Sequence, residues 1–370
     1  MSQDKRIKNF KDLIKEVHDK GICQLCGGCV SFCSSADYRI IDFIKPDLPP
    51  QFINEKECLE CGICYHICPQ TKVFKNNLNN QYNYIKPLGN YKEIYSFQAL
   101  DKDLLKNGTD GGVVSAILLY LLEHNLIDGT IVSKKLGPFA RDSMVAKSKN
   151  DLILAAGSHF DISSQVTEIA NFSTYSPTIM ALNRYKFKKL AVIGTPCQIY
   201  TIRCMQEMGV TPSQNIKYLL GLFCYGNFTM GKDKKEKFET QFNLKIEEIE
   251  KLNIKEDMLI KLKGSEVIKH ISFSELSDYI RSACNACNDF TNIYADISFG
   301  GLSSPEKYTT TIPRTKLGTN IVKSAINEGY IKVLEDLEGK RDKMLEKLIQ
   351  FSKYKEDRYN LSQKNLGVKF

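Results

Sequence analysis

The cysteines are the residues of this sequence whose type and spacing most clearly indicate chemistry. Thirteen cysteines occur in 370 residues. Eight of them form two copies of the spacing C-x2-C-x2-C-x3-C, and they are Cys23, Cys26, Cys29, Cys33, Cys58, Cys61, Cys64 and Cys68. Three cysteines at two-residue spacing can wrap a tight loop around three corners of a cubane iron–sulfur cluster. The spacing therefore predicts two [4Fe-4S] clusters.

The fourth ligand of each cluster must come from outside its triple run. In the two-cluster bacterial ferredoxin arrangement it comes from the other motif. This arrangement predicts a first set of thiols (Cys23, Cys26, Cys29, Cys68) and a second set (Cys58, Cys61, Cys64, Cys33). The resemblance to such a ferredoxin covers about residues 20–75. The alternative is a pair of zinc sites, although these usually use two separated C-x2-C knuckles.

Four further cysteines, which we name the third set, lie outside that segment: Cys197, Cys224, Cys284 and Cys287. A buried strand over 189–194 leads into Thr195 and Pro196, so Cys197 is predicted at a helix amino terminus, where the dipole favours a thiolate. Four is the number of ligands that a cubane requires. The third set predicts another [4Fe-4S] cluster, and a zinc site on the same cysteines is the alternative. The remaining Cys204 is interpreted as a small buried hydrophobe.

The elements that must position these residues form an α+β protein, with a ferredoxin-like domain followed by a mixed α/β body. A glycine-rich turn over 107–112 runs into an apolar helix over 113–122 and a strand over 129–133. Such a turn can bind phosphate through exposed N–H groups. The alternative is an ordinary loop in which Asp110 caps the helix.

The other patterns predict an amphipathic helix over 10–17 and strands over 218–223, 295–299 and 308–312. Further helices are predicted near Ser274, over 320–328 and over 333–351, the last charged and expected to pack peripherally. Residues 75–90 are rich in asparagine and predict a linker between domains.

Composition and charge exclude several classes of protein. Hydrophobic residues make up 42% and charged residues 25%, which are ordinary values for a folded globular chain. The net charge of +8 is spread in mixed-sign stretches, so nucleic-acid binding is not expected. The apolar run over 111–122 is too short to span a bilayer, and the first twenty residues lack the apolar core of a secretory signal. We therefore expect a cytoplasmic protein with reduced thiols and no membrane span.

Several segments together resemble one family, the beta subunits of coenzyme F420-dependent hydrogenases and dehydrogenases. The matching segments are 111–115, 194–198, 221–226, 284–290, 295–298 and 314–315. The resemblance spans residues 91–332, with the ferredoxin-type segment in front of it, and the sequence as a whole predicts four regions. These are a two-cluster ferredoxin-type domain with a leading helix (1–80), an FAD-binding domain (91–170), a domain with the third cluster (171–335) and a charged helical tail (336–370).

The resemblance also implies site residues. The predicted flavin contacts are Gly111, Gly112, Val113, Ser115, Thr195, Pro196, Gln198, Gly300 and Arg314, and the third set would ligate a cluster close to the flavin. No residue is assigned to acid–base catalysis. The sequence departs from the family at Asp110, where serine is usual, at His159–Phe160, where Lys-Tyr is common, and at Gly301, where aspartate is frequent.

The function that this resemblance implies is an iron–sulfur flavoprotein oxidoreductase. Hydride would pass between reduced coenzyme F420 and FAD, and single electrons would pass through the clusters to a redox partner. The partner would be a ferredoxin or a hydrogenase, dehydrogenase or reductase subunit. Two alternatives stay open: a ferredoxin-dependent flavin reductase of an organic substrate, and a flavin-free electron-transfer subunit of a larger complex.

Overall fold

The structure is a computed structural model that describes residues 6–36, 38–45, 47–137, 139–158, 189–335 and 337–366. Its N-terminal segment consists of short helices: α1 (Phe10–Leu13), α2 (Gly28–Ser35), α3 (Ile63–His66) and α4 (Lys75–Gln81). Two short strands, β1 (Ile41–Asp42) and β2 (Gln51–Phe52), pair antiparallel. Helix α1 continues as a π-helix to His18, and Phe10, Leu13 and Val17 are buried along it. The helix predicted over 10–17 is confirmed.

The linker predicted over residues 75–90 is wrong. Residues 75–81 form α4, and the Tyr294 hydroxyl donates a hydrogen bond to Asn79 Oδ1 at 2.7 Å. Leu88 is fully buried, and its carbonyl accepts hydrogen bonds from Thr291 and Arg314. Asparagine has low intrinsic helix propensity, and here tertiary contacts override it.

An eight-stranded mixed sheet forms the centre of the body. Its strands are β3 (Tyr95–Ala99), β4 (Gly129–Gly137), β5 (Ala140–Ala146), β6 (Leu190–Gly194), β7 (Ile216–Leu222), β11 (Ile297–Gly300), β12 (Thr309–Pro313) and β13 (Ile331–Val333). They lie in the order β13-β3-β12-β11-β7-β6-β4-β5. The strands predicted from apolar runs all lie in this sheet, which confirms the mixed α/β class.

Four neighbouring strands of this sheet run parallel. They are β11, β7, β6 and β4, and the strands outside them pair antiparallel. The carboxyl ends of the four parallel strands therefore open at one edge of the sheet. In open α/β sheets this edge is where ligands bind.

Helices cover both faces of the sheet. Helices α5 (Lys102–Asn107), α6 (Val113–Glu123) and α7 (Lys149–Leu154) precede or follow the first strands, and α8 (Pro196–Glu207) follows β6. Successive strand residues point to opposite faces. Ala191 and Ile193 pack with α6, whereas Val192 packs with α8 and with Phe32 of the N-terminal segment. Cys204 on α8 is fully buried, as interpreted from the sequence.

A second sheet was not predicted. Strands β8 (Ile249–Ile254), β9 (Met258–Leu262) and β10 (Ile268–Ile271) form an antiparallel meander after α9 (Lys232–Phe242). The helix predicted near Ser274 is wrong, because 3₁₀ turns occupy Ser277–Tyr279 and Ser282–Ala286 instead.

The C-terminal helices also differ from the prediction. Helix α10 (Lys316–Asn327) replaces the one predicted over 320–328, and the helix predicted over 333–351 is α11 (Arg341–Asn365). The expectation that this last helix packs peripherally is wrong. One face of this helix is buried, although most of its residues are charged or polar. The buried residues recur every three or four positions and are Met344, Leu348, Phe351, Lys355 and Tyr359. Among the helices that the structure describes, none has the length and apolar character to cross a bilayer.

Candidate functional site

The two N-terminal cysteine loops are near copies of each other. Leu25 in the first loop and Glu60 in the second both have a φ of 51°. Gly27 and Gly62, two residues further on, have φ values of 82° and 76°. Helices α2 and α3 begin directly after these glycines. Since the left-handed conformation favours glycine, the sequence positions both turns in the same way.

The thiols of the two loops are brought together across the motifs. Burial raises the pKa of Cys26, and the neighbouring Cys68 and Cys23 raise it further. Burial likewise raises the pKa of Cys33, and Cys58 and Cys61 add to this effect. Cys68 therefore lies with the first motif and Cys33 with the second. This placement of the thiols is compatible with the predicted exchange of fourth ligands.

The third set is assembled from the ends of separate elements. Cys197 lies in the first turn of α8, where Thr195 and Gln198 form a capping box and the Thr195 Oγ1 and Cys197 Sγ atoms are 3.3 Å apart. Cys224 follows β7, and Cys284 and Cys287 belong to the 3₁₀ turn and its end. Burial raises the pKa of Cys197, with Cys287 and Cys224 among the further causes. Cys284 and Cys287 likewise raise the pKa of Cys224, so the structure brings the four thiols together.

The three sets adjoin one another in a fixed order. Cys26 of the first set raises the pKa of Cys197 in the third. Cys64 of the second set raises the pKa of Cys29 and Cys68 in the first. All thirteen cysteines lie within the described ranges, and Cys61 of the second set is the exposed one among them. The first set therefore lies between the third set and the second set, which carries the exposed Cys61.

The donor sets fit [4Fe-4S] clusters. Each set offers four cysteines, and burial raises the pKa of members such as Cys29 and Cys197, so that a strong positive partner is required to hold them as thiolates. Across the described residues, no group of three or more His, Cys, Asp or Glu side chains is arranged to hold a single metal ion. The fit rests instead on the mutual proximity of the thiols. The Cys284 sulfur also accepts a hydrogen bond from Asn227 N at 3.3 Å, a contact of the kind that tunes a cluster.

A large cavity opens at the carboxyl ends of the parallel strands. Its empty volume is about 1460 Å³, including space open to solvent. Five of the predicted flavin contacts line it, namely Gly112, Val113, Ser115, Thr195 and Gly300. Cys224 lines it as well, together with Phe223, Tyr225 and Phe290. The cavity therefore touches the third set directly.

The other four predicted flavin contacts are not on the cavity wall. Gly111 is backed by the Phe97 carbonyl and Thr309. Pro196 is buried in α8, and Gln198 Oε1 accepts a hydrogen bond from Thr195 N at 2.9 Å. Arg314 is buried, and its guanidinium donates to the carbonyls of Leu88, Asn90 and Thr291 and to Ser298 Oγ. Arg314 holds the segment before β3 against β11.

Asp110 and Gly301 are close together at the wall of this cavity. Burial raises the pKa of Asp110, although Asn253 donates a hydrogen bond to it at 2.8 Å. A Cβ atom at Gly301 would lie 2.5 Å from Asp110 Oδ2, so the carboxylate fills the space of a side chain at 301. Asp110 does not cap α6, because Gly112 is the N-cap residue and no side chain caps this helix. His159 and Phe160 lie outside the described residues.

Sequence reasoning missed two cations of α11 at the third set. Lys355 Nζ donates to the Cys224 and Asp289 carbonyls, and Arg358 donates to the Tyr225 carbonyl. Burial opposes the charge of Lys355, but the Cys287 and Cys224 sulfurs raise its pKa above the ordinary value. The period of the buried stripe in α11 is a signal that points to Lys355.

Arg281 links the first and third sets. Its guanidinium donates to the Cys23 and Gln24 carbonyls at 2.8 and 3.1 Å, and its own carbonyl accepts from Cys284 N at 2.9 Å. Gln70 Nε2 donates to the Ala286 carbonyl at 3.2 Å across the same contact. The N-terminal segment is therefore fastened to the body at the thiol sets themselves.

Comparison with known proteins identifies the family. Residues 94–170 match the N-terminal part, and residues 187–338 the C-terminal part, of the family described as coenzyme F420 hydrogenase/dehydrogenase, beta subunit. The coenzyme F420 hydrogenase subunit beta of Methanothermobacter thermautotrophicus is 30% identical over 291 residues, which cover 76% of this chain and 98% of that protein.

Two further relatives extend this comparison. The coenzyme F420-dependent sulfite reductase of Methanocaldococcus jannaschii is 32% identical over 89% of this chain, which spans about half (51%) of that protein. A chain of the F420-reducing [NiFe] hydrogenase complex from Methanosarcina barkeri has a TM-score of 0.66 at 26% identity, covering 76% of this chain and 94% of that chain. The chain therefore belongs to the coenzyme F420 hydrogenase/dehydrogenase beta-subunit family of oxidoreductases.

Proposed function

We propose that this protein is an iron–sulfur flavoprotein that transfers electrons between coenzyme F420 and a one-electron partner through three [4Fe-4S] clusters. The observation that carries the proposal is the order of the site, from the cavity through the third and first sets to the second set at the surface. Relatives named as coenzyme F420 hydrogenase and F420-dependent sulfite reductase support the choice of coenzyme.

The cavity suits FAD in position, because it opens at the carboxyl ends of the parallel strands and Cys224 of the third set lines it. Gly112, with a φ of 67°, begins α6 without a side-chain cap, so N–H groups of the first turn are available to a diphosphate. Val113, Ser115, Thr195 and Gly300 would complete the flavin contacts. When bound, flavin exchanges hydride with deazaflavins and single electrons with clusters.

Aromatic residues flank Cys224 where the cavity reaches the third set. Phe223 and Phe290 line the cavity beside Cys224, and their ring centroids are 5.7 Å apart. Asn292 donates hydrogen bonds to the Gly194 and Leu222 carbonyls, which fixes the ends of β6 and β7 relative to each other. These contacts hold Cys197 and Cys224 in a rigid, desolvated arrangement. Such rigidity reduces the reorganisation that accompanies a change of charge.

The second set is the proposed exit to the partner. Cys61 is exposed, and the neighbouring Leu59 side chain is 65% exposed. A one-electron acceptor that docks at this loop would approach a cluster without rearrangement of the protein. A ferredoxin or a hydrogenase, dehydrogenase or reductase subunit would serve as this partner. The sulfite reductase relative, of which the chain spans about half, supports an acceptor supplied by another chain or module.

The proposal is tested with the full-length protein purified without oxygen. Iron, labile sulfide and flavin are quantified, and the protein is mixed in a stopped-flow instrument with reduced coenzyme F420 or, separately, with NADH. We expect reduced coenzyme F420, and not NADH, to bleach the flavin band before the cluster absorbance falls. A flavin that neither donor bleaches would favour the organic-substrate reductase, and a protein without flavin would favour the electron-transfer subunit.

A further inference from the structure

The C-terminal helix α11 places a buried cation at the third set. The Lys355 side chain is 1% exposed, and its ammonium group donates hydrogen bonds to the carbonyls of Cys224 and Asp289. Cys224 is itself a member of the third set, and Asp289 lies two residues after Cys287, another member. The helix begins at Arg341, after the last residue of the family match at 338.

A buried ammonium group is costly unless neighbouring charges and dipoles compensate it. The surroundings of Lys355 contain the Cys224 and Cys287 sulfurs, the Asp289 carboxylate and the Arg358 guanidinium. The Asp289 carboxylate accepts hydrogen bonds from Asn292 N and Ile293 N at 2.8 and 3.1 Å. The lysine itself is therefore directed at backbone carbonyls beside the cysteines, where its charge faces the third set.

Arg358, three residues further along α11, has a different role. It donates to the Tyr225 carbonyl, and its guanidinium lies 4.4 Å from the centroid of the Tyr225 ring. The Phe273 ring stacks on the same Tyr225 ring, with a distance of 4.1 Å between the two ring centroids. Arg358 thus braces a residue of the cavity wall, and of the two cations Lys355 has the larger electrostatic effect on the Cys224 thiol.

We propose that Lys355 is a positioning residue that sets the reduction potential of the third cluster. The inference rests on the proposed function, because it requires a [4Fe-4S] cluster on Cys197, Cys224, Cys284 and Cys287. Reduction adds one electron to the cluster, its net charge becomes more negative by one, and no bond or proton changes place. A fixed positive charge in a low-dielectric site stabilises the more negative state. Lys355 therefore makes the third cluster easier to reduce from the cavity side.

The test is an anaerobic redox titration of the full-length protein followed by electron paramagnetic resonance. Lys355→Gln removes the charge and keeps a hydrogen-bond donor, whereas Lys355→Met keeps only the length of the side chain. Lys355→Arg keeps the charge. Lys353→Met is the matched control, because Lys353 is an exposed lysine of the same helix. A Cys287→Ser variant identifies which signal belongs to the third cluster.

We expect the Gln and Met variants to lower the equilibrium constant for reduction of the third cluster by about tenfold. This corresponds to a midpoint potential that is about 59 mV more negative for a one-electron couple. The Arg variant and the Lys353→Met control should keep the wild-type midpoint, and the other two signals should not move. Loss of the third signal in the Gln and Met variants with its retention in the Arg variant would also support the role.

An unchanged midpoint in a Gln or Met variant that keeps the third signal would overturn the inference. Loss of the signal in all three Lys355 variants would overturn it as well, because the lysine would then serve packing alone. Wild-type protein with only about eight iron atoms per chain, or with zinc in the third set, would instead contradict the proposed function. The two failures are therefore distinguishable.

Discussion

The two cysteine-rich regions of this protein are built in opposite ways. The first and second sets come from one local segment in which a loop with two left-handed residues occurs twice, at Leu25 and Gly27 and again at Glu60 and Gly62. The third set is gathered from the start of α8, the end of β7 and a 3₁₀ turn. A local motif carries its geometry in its own spacing, whereas a dispersed site depends on the fold that assembles it.

The largest expected difference between the regions lies in electron transfer. Cys224→Ser should remove the third cluster, with a loss of about four iron atoms per chain. The rate at which the first and second clusters are reduced from the cavity should fall by more than about 100-fold. This exceeds the effect of replacing a residue that only contacts a metal ligand, because here a ligand itself is lost. Iron analysis and stopped-flow absorbance with reduced coenzyme F420 measure both effects.

The matched variant Cys61→Ser should affect the second set alone. Reduction of the third cluster from the cavity should keep its wild-type rate, and only transfer to an external one-electron acceptor should fail. If Cys61→Ser slowed reduction from the cavity as much as Cys224→Ser does, the proposed order of the three sets would be contradicted.

Gly62→Ala tests the local geometry of the N-terminal loops. The positive φ of Gly62 disfavours any Cβ, and an added Cβ would lie 2.7 Å from the Lys8 carbonyl oxygen. We expect a loss of about 2–4 kcal/mol in the free energy of unfolding. Gly21→Ala is the control, because Gly21 has a φ of 66° but nothing within 4 Å of an added Cβ. Chemical denaturation under anaerobic conditions should give the control the smaller loss, and equal losses would refute the steric argument.

Arg281→Met tests the joint between the two regions. The variant leaves the Cys23 and Gln24 carbonyls without their charged donor, so we expect a loss of about 1.5–3 kcal/mol. Arg281→Lys should lose less, because it keeps the charge and one donor. Thermal unfolding followed at the cluster absorbance measures both variants. A Met variant as stable as wild type would show that other contacts fasten the segments.

Gly301→Asp tests the cavity wall and has the smallest expected effect. The new side chain would collide with the Asp110 carboxylate, so the single variant should lose about 1–3 kcal/mol. Adding Asp110→Ser should restore part of this loss, because it removes the carboxylate, whereas the Ile254 carbonyl oxygen, 2.8 Å from an added Cβ, stays in place. Thermal unfolding of the single and double variants provides the comparison. Additive losses in the double variant would mean that the two positions do not share this space.

The same contrast explains what could be predicted from sequence. The central strands and the start of α8 are local apolar runs with clear ends, and the pairing of Cys68 with the first motif follows from spacing. Helix α4 could not be predicted, because its asparagines are held by contacts such as Tyr294 with Asn79. Lys355 could not be predicted either, because its place beside Cys224 exists only once α11 has packed on the body. The Asp110–Gly301 contact likewise joins positions far apart in the chain.

The most direct test of the central claim is the metal content of anaerobically purified wild-type protein. Three cubane clusters predict about twelve iron atoms and about twelve labile sulfides per chain. Zinc in place of iron, or iron and sulfide sufficient for only the two N-terminal sets, would contradict the account.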